Sequence, residues 1–266
     1  MNKTNSIDTA MNLKKAKEIV LDYLPNEIFA GHNAIAIFKA VSDHADQINK
    51  TRFKDSIGTV QLHALGALIL SFCKLYERKS DKYPNYSIPT AIAYLKNNGD
   101  WRGCIQPNRV KLQRFIQCKI DESFVIKIKA DLDREINLIV DYFEIHCPQT
   151  SKPRPKHELD TILDALKVLR DKQIAHYEDN DLQGLSGTDL DGTLRLLAFA
   201  QTFVNIIGYG FFGFSRHSIS TPEEFIPNKS ILWPQMQEIL EILTGGIWGD
   251  RGEMGGKWGH MFMLTN

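Results

Sequence analysis

The chain has 266 residues, 43% of them hydrophobic, which is enough to fill the core of one large domain or of one domain with an extension. This apolar share excludes disorder of the whole chain. Basic and acidic residues each number 32, so the net charge is zero, which argues against a bulk nucleic-acid coat protein and requires any nucleic-acid site to be a local basic patch.

Apolar residues recur at spacings of three and four along most long segments, whereas the alternation typical of strands is nearly absent. The sequence therefore predicts an all-α fold. In chain order, helices are predicted from about Thr9 to Leu24, Ala30 to Asn49, Arg52 to Arg78, Pro89 to Asn97, Glu122 to His146, His157 to Ala175, Asp189 to Gly208 and Leu232 to Leu243.

Proline and glycine mark the ends of several predicted helices. Pro25 is expected to end the first helix and Pro148 the fifth, because proline lacks the amide hydrogen that an interior helical position needs. The run Asn97-Asn98-Gly99 is expected to end the fourth. Residues 148–156, PQTSKPRPK, are Pro-rich and basic and predict an extended loop before the next helix.

An uncharged stretch from Leu196 to Ser215 is about long enough to cross a bilayer. Gln201 and Asn205 lie in its middle, Gly208 and two further glycines follow, and no basic cluster flanks one end. We therefore interpret this stretch as a core helix and expect no association with a membrane.

The chain is expected to divide into N-terminal helices at 1–50, a helical bundle at 51–215 and a C-terminal extension at 216–266. The extension is rich in glycine and aromatic residues, contains one short amphipathic helix and closes with a Gly-rich tail that is a poor helix former. Its tryptophans could dock on a partner, although a loosely packed end is more common for such a composition.

The helix that begins near His157 carries an apolar stripe, which Arg170 and His176 interrupt at its end. In an ideal helix these two residues lie roughly 9 Å apart along the axis and about 120° around it. Their side chains therefore converge only if Arg170 reaches along the helix or the last turn unwinds before His176. The stripe consists of Leu159, Ile162, Leu163, Leu166, Leu169 and Ile174.

Arg170 and Asp171 are followed by His176, with the five residues DKQIA between the arginine and the histidine. This pattern resembles the signature of the HEPN superfamily, and the flanking LRDKQIAHYED is similar to HEPN proteins associated with abortive infection of bacteria by phage. The earlier FCKLYERKSDKYPNYSI is similar to the helix end, charged loop and short helix that such proteins place before the signature helix. The similarity covers roughly Arg52 to Gly210.

The resemblance implies a HEPN-like helical bundle that forms a homodimer through its signature helices, so that two Arg-His pairs share one cleft for single-stranded RNA. It implies a metal-independent endoribonuclease without a cofactor, acting as a toxin or antiviral effector, with an antitoxin protein as a further partner. His176 would act as general base or acid at the ribose 2′-hydroxyl. Arg170 would hold the phosphate, and Asp171 would orient one of these two side chains.

Lys167, Lys172 and Tyr177 are secondary candidates for binding RNA, the lysines through phosphate and the tyrosine by stacking on a base. Each also has an ordinary structural explanation, since helix lysines are commonly solvated and an aromatic residue after a helix commonly packs. Glu77 and Arg78, at the end of the third predicted helix, are candidates for the charged loop of HEPN proteins, although a surface ion pair is the more ordinary interpretation.

The signature residues have a structural explanation as well, because basic side chains near a helix C-terminus stabilise its last carbonyl groups. Without the resemblance, Arg170 and His176 would be interpreted as such stabilisers. A catalytically silent HEPN module that binds RNA or a partner protein therefore stays an alternative, as does a scaffold that serves only assembly.

The cysteines indicate a reducing compartment. They are scattered without a C-x-x-C pair, so neither a zinc knuckle nor a disulfide framework is predicted. The first twenty residues lack the apolar run and cleavage site of a signal peptide. We therefore expect a cytoplasmic location. The cysteines are Cys73, Cys104, Cys118 and Cys147.

Overall fold

The structure is a computed structural model, and it describes residues 3–80, 82, 85–96, 132–149, 158–171 and 187–212. Over these ranges the chain is helical and contains no strand, which confirms the predicted all-α fold there. The predicted helix from Leu232 to Leu243 and the extension at 216–266 lie outside the described residues. The helices are α1 (Lys3–Glu18), α2 (Leu24–Asp43), α3 (Ala45–Ile48), α4 (Lys54–Leu75), α5 (Ile88–Lys96), α6 (Leu132–His146), α7 (Glu158–Leu169) and α8 (Gly187–Val204).

The prediction that Pro25 ends the first helix is wrong. Helix α1 passes into a π-helical turn, Ile19–Tyr23, and α2 follows directly. The amide of Leu24 donates to the carbonyl of Ile19, five residues back, instead of the usual four. Pro25 then lies in the first turn of α2, where a missing amide hydrogen removes no helical bond. The wider turn thus admits the proline within an almost continuous helical rod.

Helix α2 ends at Asp43, earlier than predicted, because the backbone of the next residue, His44, leaves the helical conformation (φ −109°, ψ 11°). The short α3 follows, and the chain turns back into α4. A small apolar cluster fills this corner, so that α4 packs along α2. The cluster consists of Ala40, Val41, Ile48 and Ile57, with Phe53 against it.

The main core joins the N-terminal helices to the later ones. Phe143 of α6 lies edge-on to Phe199 and Phe203 of α8, with ring centroids 5.8 and 5.0 Å apart. Buried residues of α1 and α2 belong to the same cluster as those of α4 to α8. The segment at 1–50 and the bundle at 51–215 therefore share a core over the described ranges. The largest fully buried side chains include Leu24, Ile35, Phe72, Tyr76, Phe143 and Phe203.

The uncharged stretch that begins at Leu196 is a core element, as predicted, up to residue 212, where the described range ends. Helix α8 continues into a second π-helical turn, Asn205–Phe211, which contacts the first one. Within the described residues, α4 is the helix that is long and apolar enough to cross a bilayer, and 44% of its most apolar window is buried. Since α4 packs against α2 and α7, it is consistent with the core helix of a soluble protein.

Gly192 of α8 allows this helix to pack closely against Ile162 of α7. A Cβ built on this glycine would lie 2.8 Å from Cδ1 of Ile162 and 3.1 Å from its Cγ1. We expect Gly192→Ala to destabilise the protein by about 1–3 kcal/mol, because the two helices would have to separate or Ile162 would have to leave its rotamer. Chemical denaturation measures this change.

Gly58→Ala in α4 is the matched control, since a Cβ there meets nothing within 4 Å. This variant is expected to be stabilised by about 0.5–1 kcal/mol through helix propensity alone. Equal effects of the two substitutions would contradict the close approach at Gly192.

Candidate functional site

Helix α7 carries the residues of the signature, and a corner after α6 fixes where it begins. The backbone amide of Gln149 donates to Oδ1 of Asp160 (3.3 Å), and its side-chain Nε2 donates to Oδ1 of Asp164 (3.2 Å). Both carboxylates lie in the first two turns of α7, where the helix dipole favours negative charge. These hydrogen bonds fix the N-terminal end of α7, and Leu163 and Leu166 are buried in the core. Together they fix the position of the C-terminal end of α7.

Arg170 and Asp171 lie at that far end. The α-helix ends at Leu169, and these two residues continue it in a π-helical conformation. Nε and Nη2 of Arg170 both approach Oδ1 of Asp171, at 2.8 and 2.7 Å. The carboxylate raises the pKa of Arg170, so the guanidinium stays charged. The arginine side chain is 36% exposed, which leaves its remaining N–H groups open to a ligand.

A second basic residue, Lys167, lies one turn before Arg170 on the same helix. Partial burial is the largest effect on its pKa, which is lowered. Asp164 opposes this shift, whereas the positive charges of Arg78 and Arg170 reinforce it. Lys167 therefore experiences charges from its own helix and from the segment that follows α4.

The end of α4 supplies the other side of this cluster. Cys73 is buried, which raises the pKa of its thiol, while the positive charges of Arg170 and Lys167 lower this pKa. One turn later, the Tyr76 hydroxyl donates to the carbonyl of Leu196 and ties α4 to α8. The buried contacts of Cys73 and Tyr76 therefore hold the α4 end beside α7.

After Tyr76 the chain leaves the helix, and side chains just before α5 hydrogen-bond to its backbone there. Ser87 donates to the carbonyl of Glu77 (2.6 Å), and Nδ2 of Asn85 donates to the carbonyl of Arg78 (2.7 Å). Of the segment FCKLYERKSDKYPNYSI, the helix end and the start of the short helix lie in the described residues, as does part of the stretch between them. Neither Glu77 nor Arg78 takes part in an ion pair within the described residues, so the expected surface ion pair is not seen there.

The structure brings together Arg170, Asp171 and Lys167 of the predicted site residues. His176, Lys172 and Tyr177 lie outside the described residues. Sequence reasoning missed the electrostatic influence of Cys73 on Arg170 and of Arg78 on Lys167. Both residues belong to the segment that resembles the helix end and charged loop of HEPN proteins. Their interactions with residues of α7 depend on the packing of α4 on α7, which the sequence does not show. 

The cluster is suited to binding an anion. Arg78 and Lys167 form no ion pair in the part of the chain that the structure describes, and Arg170 is neutralised only by its neighbour Asp171. A guanidinium can bind two phosphate oxygens at once, and a partly buried ammonium is attracted more strongly than a solvated one. Within the same ranges no group of three or more histidine, cysteine or carboxylate side chains is arranged to hold a metal ion.

Comparisons with family models, with curated proteins and with solved structures give no match for this chain.

Proposed function

We propose that the chain is a metal-independent endoribonuclease of HEPN type that cleaves single-stranded RNA. The observation that carries the proposal is the partly exposed Arg170 guanidinium, which Asp171 holds at the end of an amphipathic helix one turn after Lys167. The sequence adds His176 five residues after Asp171, which completes the resemblance to the HEPN signature. No cofactor is required for this chemistry.

In the proposed reaction, His176 accepts the proton of a ribose 2′-hydroxyl, and the oxygen attacks the adjacent phosphorus. The bond from phosphorus to the 5′-oxygen breaks, and that oxygen takes up a proton. Arg170 binds the phosphate and stabilises the charge that grows on it, while Asp171 orients the guanidinium. The products are a 2′,3′-cyclic phosphate and a 5′-hydroxyl end.

The proposed assembly is a cytoplasmic homodimer joined through the signature helices, with two Arg170-His176 pairs facing one cleft. Such a dimer would act as a toxin or antiviral effector, with an antitoxin protein as its regulator. Lys167, Lys172 and Tyr177 would bind the RNA strand on either side of the reacting phosphate.

A second candidate is a catalytically silent HEPN module that binds RNA or a partner protein. It is favoured by one observation, namely that Lys167 and Arg170 lie one turn apart on the same helical segment, so that two cations are available to a phosphate backbone. This candidate predicts binding of RNA without turnover.

Incubation of the purified full chain with labelled single-stranded RNA in EDTA tests the proposal. We expect cleavage in EDTA and products that end in a cyclic phosphate. A DNA strand of the same sequence is the matched control and should stay intact, because it lacks the attacking 2′-hydroxyl. RNA that is bound but not cleaved would favour the silent module, and cleavage of the DNA strand would exclude the proposed reaction.

A further inference from the structure

Two lysines from different parts of the chain converge on one tyrosine ring. Nζ of Lys15, in the last turn of α1, lies 5.5 Å from the centroid of the Tyr94 ring, and Nζ of Lys79, in the segment after α4, lies 5.3 Å from it. Both distances are within the range of a cation–π interaction. Tyr94 belongs to α5, which packs against α1. Three elements that are distant in sequence thus place two ammonium groups beside the same ring.

Neither lysine has a carboxylate partner among the described residues. By contrast, Lys96, two residues after Tyr94 on α5, pairs with Asp141 at 3.2 Å. The described carboxylates nearest to the two lysines in sequence are Glu18 on α1 and Glu77 after α4, and neither forms an ion pair within the described ranges. Two positive charges are therefore open to a ligand beside the Tyr94 ring.

Attraction to the ring explains only part of this arrangement. The face of a tyrosine ring attracts one ammonium group, but a second ammonium group beside the same ring is also repelled by the first. A negatively charged ligand would remove this repulsion, and it would accept hydrogen bonds from the N–H groups of both lysines. The convergence of Lys15 and Lys79 therefore favours an anion-binding surface over a purely structural contact.

The backbones that present these side chains are held in place. The residues that follow Lys15 and Tyr94 in sequence are buried in the core. The carbonyl of the residue before Lys79 accepts a hydrogen bond from Nδ2 of Asn85 (2.7 Å). Binding of a ligand would therefore order only side chains that already meet at one ring, which lowers its entropic cost.

We infer that Lys15, Lys79 and Tyr94 form a binding surface for the phosphodiester backbone of single-stranded RNA, built by α1, the segment after α4 and α5. The inference rests on the proposed function for the choice of RNA, and it adds a surface that contains no residue of the signature helix. The two ammonium groups bind phosphate oxygens while the ring keeps them close together, so the surface specifies no base. It supplies a local positive patch, which a chain of zero net charge needs in order to bind RNA.

An extended strand suits this surface better than a single small anion. Both lysines are exposed, so each contact with a phosphate is weakened by water and salt. A strand offers one phosphate for every nucleotide, and each phosphate that a lysine neutralises releases counterions. Binding should therefore depend steeply on salt, and each lysine should contribute its own share of that dependence.

The test measures binding of a fluorescein-labelled 2′-O-methyl oligouridylate, which cannot be cleaved, to the full chain over a range of NaCl concentrations. Lys15→Gln and Lys79→Gln are each expected to raise Kd about threefold to tenfold, through the loss of one exposed charge-assisted contact. Each should also reduce the slope of log K against log salt by about 0.7, the value for one phosphate of a single strand. Lys15→Arg keeps the charge and should retain the slope.

Lys54→Gln is the matched control, because it removes one exposed charge from the N-terminal end of α4, whereas Lys79 follows the C-terminal end. It should leave Kd and slope unchanged. Binding by the Lys15 and Lys79 variants equal to that of the unaltered chain overturns the surface, even where the chain cleaves RNA. Weaker binding by these variants supports the surface, and in a chain that does not cleave RNA it does so while the nuclease is rejected. Absence of probe binding by the unaltered chain overturns the surface, whereas the nuclease is judged by the cleavage assay.

Vesicles of phosphatidylcholine and phosphatidylserine distinguish RNA from an anionic membrane as the ligand. We expect the two substitutions to weaken binding of the RNA probe. Substitutions that weaken binding to the vesicles but leave binding of the RNA probe unchanged would overturn the inference.

Discussion

Replacing His176 with alanine is expected to lower the rate of RNA cleavage by about 10²- to 10⁴-fold, the range that a positioned general acid or base contributes. The loss should appear in kcat, because the imidazole moves a proton in the transition state and contributes little to ground-state binding. Initial rates of cleavage, measured on a labelled RNA at saturating and at low concentrations, separate the effect on kcat from the effect on substrate binding. Binding of a 2′-O-methyl oligouridylate, which lacks the attacking hydroxyl and cannot be cleaved, should stay within a few-fold of its binding to the unaltered chain.

Arg170→Ala is expected to reduce cleavage by about 10²- to 10³-fold, since it removes a donor from the developing phosphate charge. Arg170→Lys keeps the charge but loses the planar fork, so it should restore binding more than rate. Arg195→Ala is the matched control: Arg195 is an exposed arginine paired with Glu158 in the same way that Arg170 is paired with Asp171. Cleavage unaffected by substitution of both His176 and Arg170 would reject the proposed mechanism.

The helical period was sufficient to predict the fold class and most helix positions. Helices α4 and α5 begin and end within three residues of the predicted bounds, because their ends carry local signals such as the Asn-Asn-Gly run after Lys96. The local signal at Pro25 led to a wrong helix boundary, because a π-helical turn accommodates the proline. That turn depends on packing of the N-terminal helical rod against α4, α5 and α8, which a single sequence does not display.

The candidate site was predictable only on the helix that carries the signature. Arg170, Asp171 and Lys167 are close in sequence, so helical geometry places them together. Arg78 and Cys73 lie far from them in the chain, and they act on Lys167 and Arg170 only because α4 packs on α7. Such interactions between distant segments depend on tertiary packing, which a single sequence does not display.

Acid is expected to destabilise the fold through His32. This histidine is buried in α2, and desolvation lowers its pKa from 6.5 to about 3. The unfolded chain therefore binds a proton below pH 6.5 that the folded chain binds only near pH 3. Stability should be independent of this group above pH 6.5 and should fall as the pH decreases towards 3. The integrated loss is about 2 kcal/mol between pH 7 and pH 5 and about 5 kcal/mol in strong acid.

Urea unfolding of the chain and of His32→Leu at pH 7 and pH 5 measures the effect. The variant should lose about 2 kcal/mol less than the unaltered chain over this interval, because leucine binds no proton in either state. Comparing the two pH values within each protein cancels the change in packing that the substitution causes at either pH. His63→Leu, at an exposed position of α4, is the matched control and should preserve the slope of the unaltered chain. Identical slopes for His32→Leu and the unaltered chain would show that the imidazole is protonated in the folded state, and hence that solvent or a carboxylate reaches it.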